Sequence, residues 1–495
     1  MSVETFDRVS FFAEQRRRQR QTWRLVAVCV FVVTFIGLIA STIVSPIALA
    51  AAGLLLRLAE KLLPFSTTIE SLRGAVVAWA NRGVADLGII ADRLDQMSNL
   101  TDALALTPYA TAFAALFLPG IAAMLIAYFT LYTLLRRSGG PSIAIALNAR
   151  SPLPGDFVEH RLSNIVEEMA VAAGLRAPQI MLIDAPVANA AATSSPEGEP
   201  IVLVTRGLLD QLSRQETQAV VGHLVGSIGN GDWRLMCSLM GVFETLGLFL
   251  TIIDLPFRAS ARRAFWRLLR LIVARGGRPQ ESVLIVETLA ESIDTASTEE
   301  TSRFLGLEQG GSRLCKVLTI PLLPLALLNI LLRMVLWLWV SLLLGIVVAL
   351  LWRNRRYFAD ASAVQLTRDP DALAGALRKL SVHGGVPPGG DAVEYVFFFG
   401  RQRAAEKGFG TKAGVVMPLQ PSLKGRLRRL IAMGAKPDAS RHAGMPLALK
   451  ATLGCAMLVI APLIVALGVA VGILTLMVLT LTSGFAGLVI VWAIG

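Results

Sequence analysis

The sequence predicts a mainly α-helical integral membrane protein that carries one small α+β domain. Three observations lead there. Of the 495 residues, 54% are apolar and only 17% charged, a balance unlike that of water-soluble domains. Four stretches, Leu25–Leu56, Ala103–Leu135, Met334–Trp352 and Ala451–Gly495, contain no Asp, Glu, Lys or Arg, and about 20 apolar residues suffice to cross the roughly 30 Å hydrocarbon layer. Around them lie two polar blocks that mix helical stripes with two short β-type runs.

The first apolar run is too long for a signal-peptide core and lacks a convincing small-residue cleavage site, so it reads as an uncleaved anchor. Arg16, Arg17, Arg18, Arg20 and Arg24 precede it, and Arg136 and Arg137 follow the second run. Basic flanks favour the cytoplasmic side, which predicts a hairpin over 1–137 with residues 57–106 outside. Arg353, Arg355 and Arg356 place the end of the third run inside as well. The fourth run, within 447–495, is long enough for a hairpin that turns at Thr482-Ser483-Gly484.

The net charge of +12 is explained by these flanking arginines. No aromatic–basic interleaving accompanies it, and no nucleic-acid partner is expected. Cys29, Cys237, Cys315 and Cys455 are scattered, without the spacing of a zinc knuckle or a disulfide framework.

The first polar block, 138–232, opens on Ser138-Gly139-Gly140-Pro141. Leu162, Ile165, Met169 and Val171 then give an apolar helical stripe near Glu159–Ala173. Two β-type runs follow, Gln179–Ile183 and Ile201–Val204, separated by a loop or irregular edge strand over Asn189–Pro200. Ser213-Arg214-Gln215-Glu216 forms a capping box that starts a helix. That helix carries His223 and is expected to stop at Gly229–Gly231. The second block, 353–446, predicts helices over Arg353–Thr367, over Asp371–Leu380 with Pro370 at its start, and over Pro421–Met433.

Between the blocks, 233–352 forms a membrane-associated insertion with one or two spans. Leu235–Leu255 either crosses, dips in or lies at the surface. The basic amphipathic segment with Arg258, Arg262, Arg263, Arg267 and Arg270 is either exterior or an interfacial helix.

Several pieces resemble, in order and spacing, the HtpX-like membrane zinc metalloproteases, relatives of the CAAX prenyl proteases. They are Ala177-Pro178-Gln179-Ile180 leading to Asn189-Ala190-Ala191-Ala192-Thr193, then Val204–Leu209, Asn230-Gly231-Asp232, Tyr357–Ala363 and Pro370–Leu380. The resemblance covers roughly 155–232 and 352–433. It implies a gluzincin-like α+β metallopeptidase domain, mainly helical with a small β-sheet, and a peptide-binding edge strand at Asn189–Thr193.

The family's chemistry needs two His one turn apart, a Glu beside the first as general base, and a distant Glu as third zinc ligand. By the resemblance, His223 occupies the first ligand position. Leu224 stands at the general-base position, where an alkyl chain accepts no proton, so no catalytic residue is expected. Ser227 stands at the second ligand position and Arg356, permanently charged, at the third. Asp360, which in the family supports the metal from behind, is expected to pair with Arg356 one turn away. The family's His-Pro reads Gln420-Pro421, and the His before its Phe-Phe-Gly reads Val396.

His223 alone is read as a core or helix-surface histidine in preference to a residual metal ligand. A site joining it to Asp232, Asp360 or Glu394 has no spacing to recommend it. Asn189–Thr193 is read evenly as a peptide-capturing edge or a surface loop. The leading functional expectation is a pseudoprotease, with no cofactor, that binds or regulates membrane proteins or captures misfolded ones as peptides. It would lie in the bilayer of a bacterial inner membrane, its metallopeptidase-like domain cytoplasmic. The alternative is an active zinc metalloendopeptidase of membrane-protein quality control with a rearranged site. A transport role ranks last, since Glu244, Asp254 and Arg333 are few ionisable groups for the spans.

Overall fold

Ser213 caps a helix whose buried face organises the soluble part of the molecule. In this computed structural model, which describes residues 11–62, 67–94, 110–195, 197–255, 258–273, 330, 340, 344–400 and 419–437, the capping box forms in full. The Ser213 hydroxyl accepts from the Glu216 amide, and the Glu216 carboxylate accepts from the Ser213 amide at 2.7 Å. The fourth apolar run, with the hairpin proposed for 447–495, lies outside the described residues, as do Cys315, Cys455, His442, Arg333 and most of Met334–Leu343.

The elements in chain order are α1 (Phe11–Leu62), α2 (Thr67–Leu94), α3 (Ala110–Ala146), α4 (Phe157–Ala172), β1 (Gln179–Ile183), β2 (Ala190–Ser194), β3 (Pro200–Thr205), α5 (Arg206–Gln211), α6 (Arg214–Gly229), α7 (Asp232–Asp254), α8 (Ala259–Val273), α9 (Gly345–Thr367), α10 (Pro370–His383), a 3₁₀ turn (Asp391–Val396) and α11 (Leu423–Ala432). The helices and strands predicted in both polar blocks are present, with ends shifted by at most three residues, except that α9 starts at Gly345, eight residues before Arg353. The Asn189–Pro200 separator contains a regular strand, β2. The sheet order is β1-β3-β2, with β1 parallel and β2 antiparallel to β3. β3 is therefore central, and Ile201 to Thr205 are all buried.

The chain separates into two compact units. The larger contains α4 to α11, the sheet, the start of α1 and the end of α3. Its main core joins Leu162, Ile165 and Met169 of α4 to Val220, Leu224 and Val225 of α6, with Leu373 and Leu377 of α10, Phe398 and Leu430 of α11. α6 and α9 approach so closely that a Cβ at Gly226 would lie 2.7 Å from the Ser362 Cβ. This small-residue seam brings the middle of α6 against the middle of α9. Gly231, at φ 71°, then turns the chain straight from α6 into α7. The glycine ending expected for α6 is thus a hinge between two helices.

α1 begins within this unit and is held there by side chains. The Gln15 amide donates to Gln365 Oε1 at 2.6 Å. Asn354 of α9 donates to the Arg18 carbonyl at 2.9 Å and to Thr22 Oγ1 at 2.8 Å. The Tyr357 ring lies between Arg18, 5.4 Å from its centroid, and Arg429, at 3.1 Å. Arg18 is therefore a docking residue as well as a member of the basic flank.

In the smaller unit, α1 and α2 pack Leu49 against Val76 and Trp79 and pair Glu60 with Arg73 at 3.1 Å. α3 crosses α1 where the Gly120 amide donates to Ser45 Oγ at 2.9 Å.

Among the described residues, three helices are long and apolar enough to cross a membrane: Glu14–Ser41, Phe117–Arg136 and Asp232–Ile252. The protein is integral to a membrane. The α7 window differs from the others, with 61% of it buried against 28% and 17%. Glu244 lies on its covered side. α8 turns Ala261, Ala264 and Leu268 inward, with Leu268 packed on Leu131 of α3 and Leu248 of α7. Its arginines 262, 263, 267 and 270 face outward.

Candidate functional site

α6 presents His223 to α9 and α11 at the seam. The ring is fully buried, and Phe398 packs edge-on against it at 4.6 Å. Nδ1 lies 2.8 Å from Asp360 Oδ1 on α9. Burial holds the imidazole neutral, with a pKa lowered to about 4 against the opposing pull of Asp360. A neutral ring beside a carboxylate carries its proton on Nδ1. Nε2, an acceptor in that tautomer, has no hydrogen-bond partner among the described residues.

Asp360 does not pair with Arg356, and this corrects the i,i+4 expectation. Its carboxylate faces Arg426 of α11, whose Nε and Nη2 donate at 2.9 and 2.6 Å. Arg426 Nη1 also donates to the Phe398 carbonyl at 3.1 Å, and its guanidinium stacks 4.3 Å from the Phe398 ring centre. Burial alone would raise the Asp360 pKa. The Arg426 charge and the bonds from His223 and Arg426 outweigh burial and hold it well below the ordinary carboxylate range.

Arg356 turns one end of its guanidinium to backbone instead. Its Nη2 donates to the carbonyls of Tyr395, Val396 and Phe397 at 2.8, 3.1 and 2.8 Å. Trp352 lies under the guanidinium at 5.2 Å. Burial lowers its pKa to about 10, which still leaves it charged at neutral pH. Gln420, at the family's His-Pro, donates to the same Phe397 carbonyl at 2.9 Å. Val396, the other replaced histidine, lines a cavity of about 20 Å³ with Ala192, Ser227, Asp232, Trp352 and Arg356.

Ser227 donates to Asp232 Oδ2 at 2.6 Å, and Arg355 Nε donates to Asp232 Oδ1 at 2.5 Å. Arg355 and Arg356 are therefore interior residues of this site. Leu224 belongs wholly to the core, with 1% exposure. Leu224→Ala is expected to cost about 2–5 kcal/mol through the cavity it leaves, read from thermal unfolding in detergent. A general base at this position would have to leave that core.

Asn189 to Thr193 lie on the outer edge of the sheet, but little of that edge is open. Asn189 Nδ2 donates to the carbonyls of Gly385 and Phe399, and its Oδ1 accepts from the Ala190 and Phe399 amides. Phe397 bridges Ala191, and the Phe398 amide donates to the Ala190 carbonyl at 2.7 Å. At the other end α3 presses in. A Cβ at Gly140 would meet the Ser194 carbonyl at 2.0 Å, so only glycine allows that approach. Ala192 remains between these two covers, at the cavity.

The model of peptidase family M48 matches residues 157–433, more than half of the chain. The chain belongs to this family. Among similar curated proteins, a protease HtpX homolog of Levilactobacillus brevis is 26% identical over 249 residues, covering 50% of this chain and 66% of the relative. One of Listeria innocua is 29% identical over 250 residues, covering 50% and 67%. Protease HtpX of Enterobacter sp. is 37% identical over 98 residues, covering 20% and 33%. The chain thus spans about two-thirds of the length of the first two relatives and a third of the last, and half of the chain has no counterpart in the first two matches. No solved structure matches.

Membership of M48 implies zinc, so the donors at the matched positions can be weighed against that ion. His223 Nε2 suits it: a free imidazole nitrogen, its ring fixed from behind by a carboxylate as metal-binding histidines usually are. The other two positions offer a hydroxyl already bonded to Asp232 and a guanidinium of the metal's own charge sign. Asp360 and Asp232 are committed to arginines, and no group of three His, Cys, Asp or Glu side chains comes together among the described residues. This set does not fit a zinc ion.

Arg426, Arg355 and the two tryptophans at the cavity escaped the sequence reading. Arg426 had a signal: it falls on the Leu423, Leu427, Leu430 stripe of an otherwise basic helix, where a charge needs a buried partner. Arg355 had none, because beside Arg353 and Arg356 it looks like an ordinary flank of a membrane span.

Proposed function

We propose that this M48 membrane protein is a pseudoprotease, which binds or regulates other membrane proteins and does not hydrolyse them through zinc. One observation carries the reading. The residue at the third-ligand position, Arg356, is charged, buried and locked onto three backbone carbonyls beside Ser227. Together with Leu224 packed into the core, this leaves the site with neither a carboxylate ligand nor a base. The bacterial relatives support a bacterial inner membrane as its location. The basic residues in the first turns of α1 and at Arg136 support a cytoplasmic position for the domain built from 138–232 and 353–446. A partner polypeptide would reach the β2 edge only if the Phe397–Phe398 cover moved aside.

The second reading, an active zinc metalloendopeptidase with a rearranged site, is favoured by the His223–Asp360 arrangement alone. Metal analysis of the purified full chain separates the two. We expect well under one zinc per chain, unaltered in His223→Ala, and no cleavage of an unfolded membrane-protein substrate. One zinc per chain that disappears in His223→Ala would overturn the proposal.

A further inference from the structure

α8 exposes two stripes that run side by side. Residues three and four positions apart share a helix face, so Arg263, Arg267 and Arg270 form one stripe and Arg262, Trp266 and Leu269 the next. All six are exposed, Trp266 at 60% and Leu269 at 37%. The Phe265 ring braces Trp266 edge-on at 6.2 Å. The opposite face is fixed to the protein. Ala261, Ala264 and Leu268 are buried, and Leu268 packs on Leu131 of α3 and Leu248 of α7. Arg258, just before the helix, pairs inward with Asp254 at 2.8 Å, and Arg262 donates to the Leu255 carbonyl at 3.0 Å. Among the described residues no ion pair joins Arg263, Arg267 or Arg270 to a carboxylate, and α8 itself contains none.

Four arginines in fifteen residues exclude a membrane span, so the level of the helix decides what meets these stripes. With α3 taken as a span, Leu131 lies five residues before Arg136, where the apolar window of α3 ends. That is about 7.5 Å along the helix. Leu268 therefore hangs α8 at the rim of the hydrocarbon layer, the depth at which an amphipathic helix lying in the interface buries its apolar side. At that depth the surrounding medium is lipid, and phosphate groups and the first acyl carbons are met together. Tryptophan favours this zone because its ring is apolar and its N–H stays wet. Guanidinium forks match phosphate oxygens two at a time. A zwitterionic surface leaves the arginine stripe uncancelled, whereas an anionic one cancels it.

We propose that α8 binds anionic phospholipid headgroups, with Arg263, Arg267 and Arg270 holding phosphate oxygens and Trp266 and Leu269 seated among the adjoining acyl chains. Of the two positions open to this basic segment, exterior or interfacial, it takes the interfacial one. Because Leu268 ties α8 to α3 and α7, headgroup binding also pins these helices to the membrane surface. The lipid site is independent of the chemistry at His223 and holds for a pseudoprotease and for an active peptidase alike.

The test uses the full chain reconstituted in vesicles of phosphatidylcholine and phosphatidylglycerol at one fixed ratio. In one set the phosphatidylglycerol is brominated near the headgroup end of its acyl chain; in the other an equal amount of phosphatidylcholine is. Bromine quenches tryptophan in contact with it. The chain has eight tryptophans, so the Trp266 signal is the emission of the parent minus that of Trp266→Phe. We expect both lipids to quench it, and phosphatidylglycerol about threefold more strongly, an enrichment within the reach of arginines at a membrane surface. Replacing Arg263, Arg267 and Arg270 together by Gln, measured against its own Trp266→Phe counterpart, is expected to bring the two lipids level. About 1 M salt, which cuts the screening length to about 3 Å, is expected to shrink the excess in the parent. Should the triple variant fail to fold, Arg267→Gln alone decides, with a partial loss of the excess expected. Quenching by neither lipid places α8 against polypeptide or water and overturns the proposal. Equal quenching by the two lipids in the parent, or an excess that stays at full size in the arginine variants, also overturns it.

Discussion

Replacing Asp360 with leucine is expected to destabilise the protein by about 3–5 kcal/mol, the usual result of stranding one member of a buried ion pair. Arg426 is only 2% exposed, and four of its hydrogen-bond and ring contacts converge on Asp360 and Phe398. Without the carboxylate its charge has no outlet to solvent. Arg426→Met is expected to cost less, because His223 still donates to Asp360 Oδ1 and the carboxyl group can take up a proton. The double variant is expected to recover much of the loss, since a well-packed apolar pair often replaces a buried ion pair at little cost. Its remaining deficit is the unpaired His223 Nδ1–H, about 1–3 kcal/mol. Unfolding temperatures of the four proteins in one detergent give the coupling. If the single costs simply add, Asp360 and Arg426 do not act as a pair and the description of the site fails.

The second large effect is a gain. Ser227→His together with Arg356→Glu supplies, with His223, two imidazoles one turn apart and a carboxylate facing them across the α6–α9 seam. We expect this double variant to take up about one zinc per chain. Without metal it should be less stable than the parent, because the Tyr395 and Val396 carbonyls lose the Arg356 donor, Phe397 keeps only Gln420, and a carboxylate is left among them. With zinc at a thousand times its dissociation constant, binding returns about 4 kcal/mol. Hydrolysis is not expected until Leu224→Glu is added, since nothing else at the site takes a proton from water. Absence of zinc from the double variant, in a folded preparation, would mean that the positions matched to the family do not converge as metal ligands.

Much of this was legible in the sequence for physical reasons. The Ser213 capping box, the Gly229–Gly231 ending and the Pro370 start are local rules, satisfied within a few residues, and each is realised. The strand pair Gln179–Ile183 and Ile201–Val204 showed through its β-branched runs. β2 was less visible, because alanine has little strand preference and the pairing with β3 decides its shape. Charge pairing was legible only where it is local. Arg356 and Asp360 stand one turn apart, and a sequence reading pairs them. The partner chosen in the fold is Arg426, 66 residues away from Asp360, and nothing in the chain announces it except a charge on an apolar stripe.

The clamp between α1 and α9 has a consequence for depth. Arg18, which contacts Asn354 and Tyr357, lies seven residues before the apolar run that starts at Leu25. Arg356 lies four residues after the one that ends at Trp352. At 1.5 Å per helical residue these counts are about 10 and 6 Å. With both apolar runs taken as membrane spans, as the sequence reading expects, two helices entering the site from different parts of the chain give nearly the same height, that of lipid headgroups. On that reading we propose that a polypeptide visiting Ala192 and the cavity would arrive along the membrane surface, and the segments within its reach would be those that border a transmembrane helix.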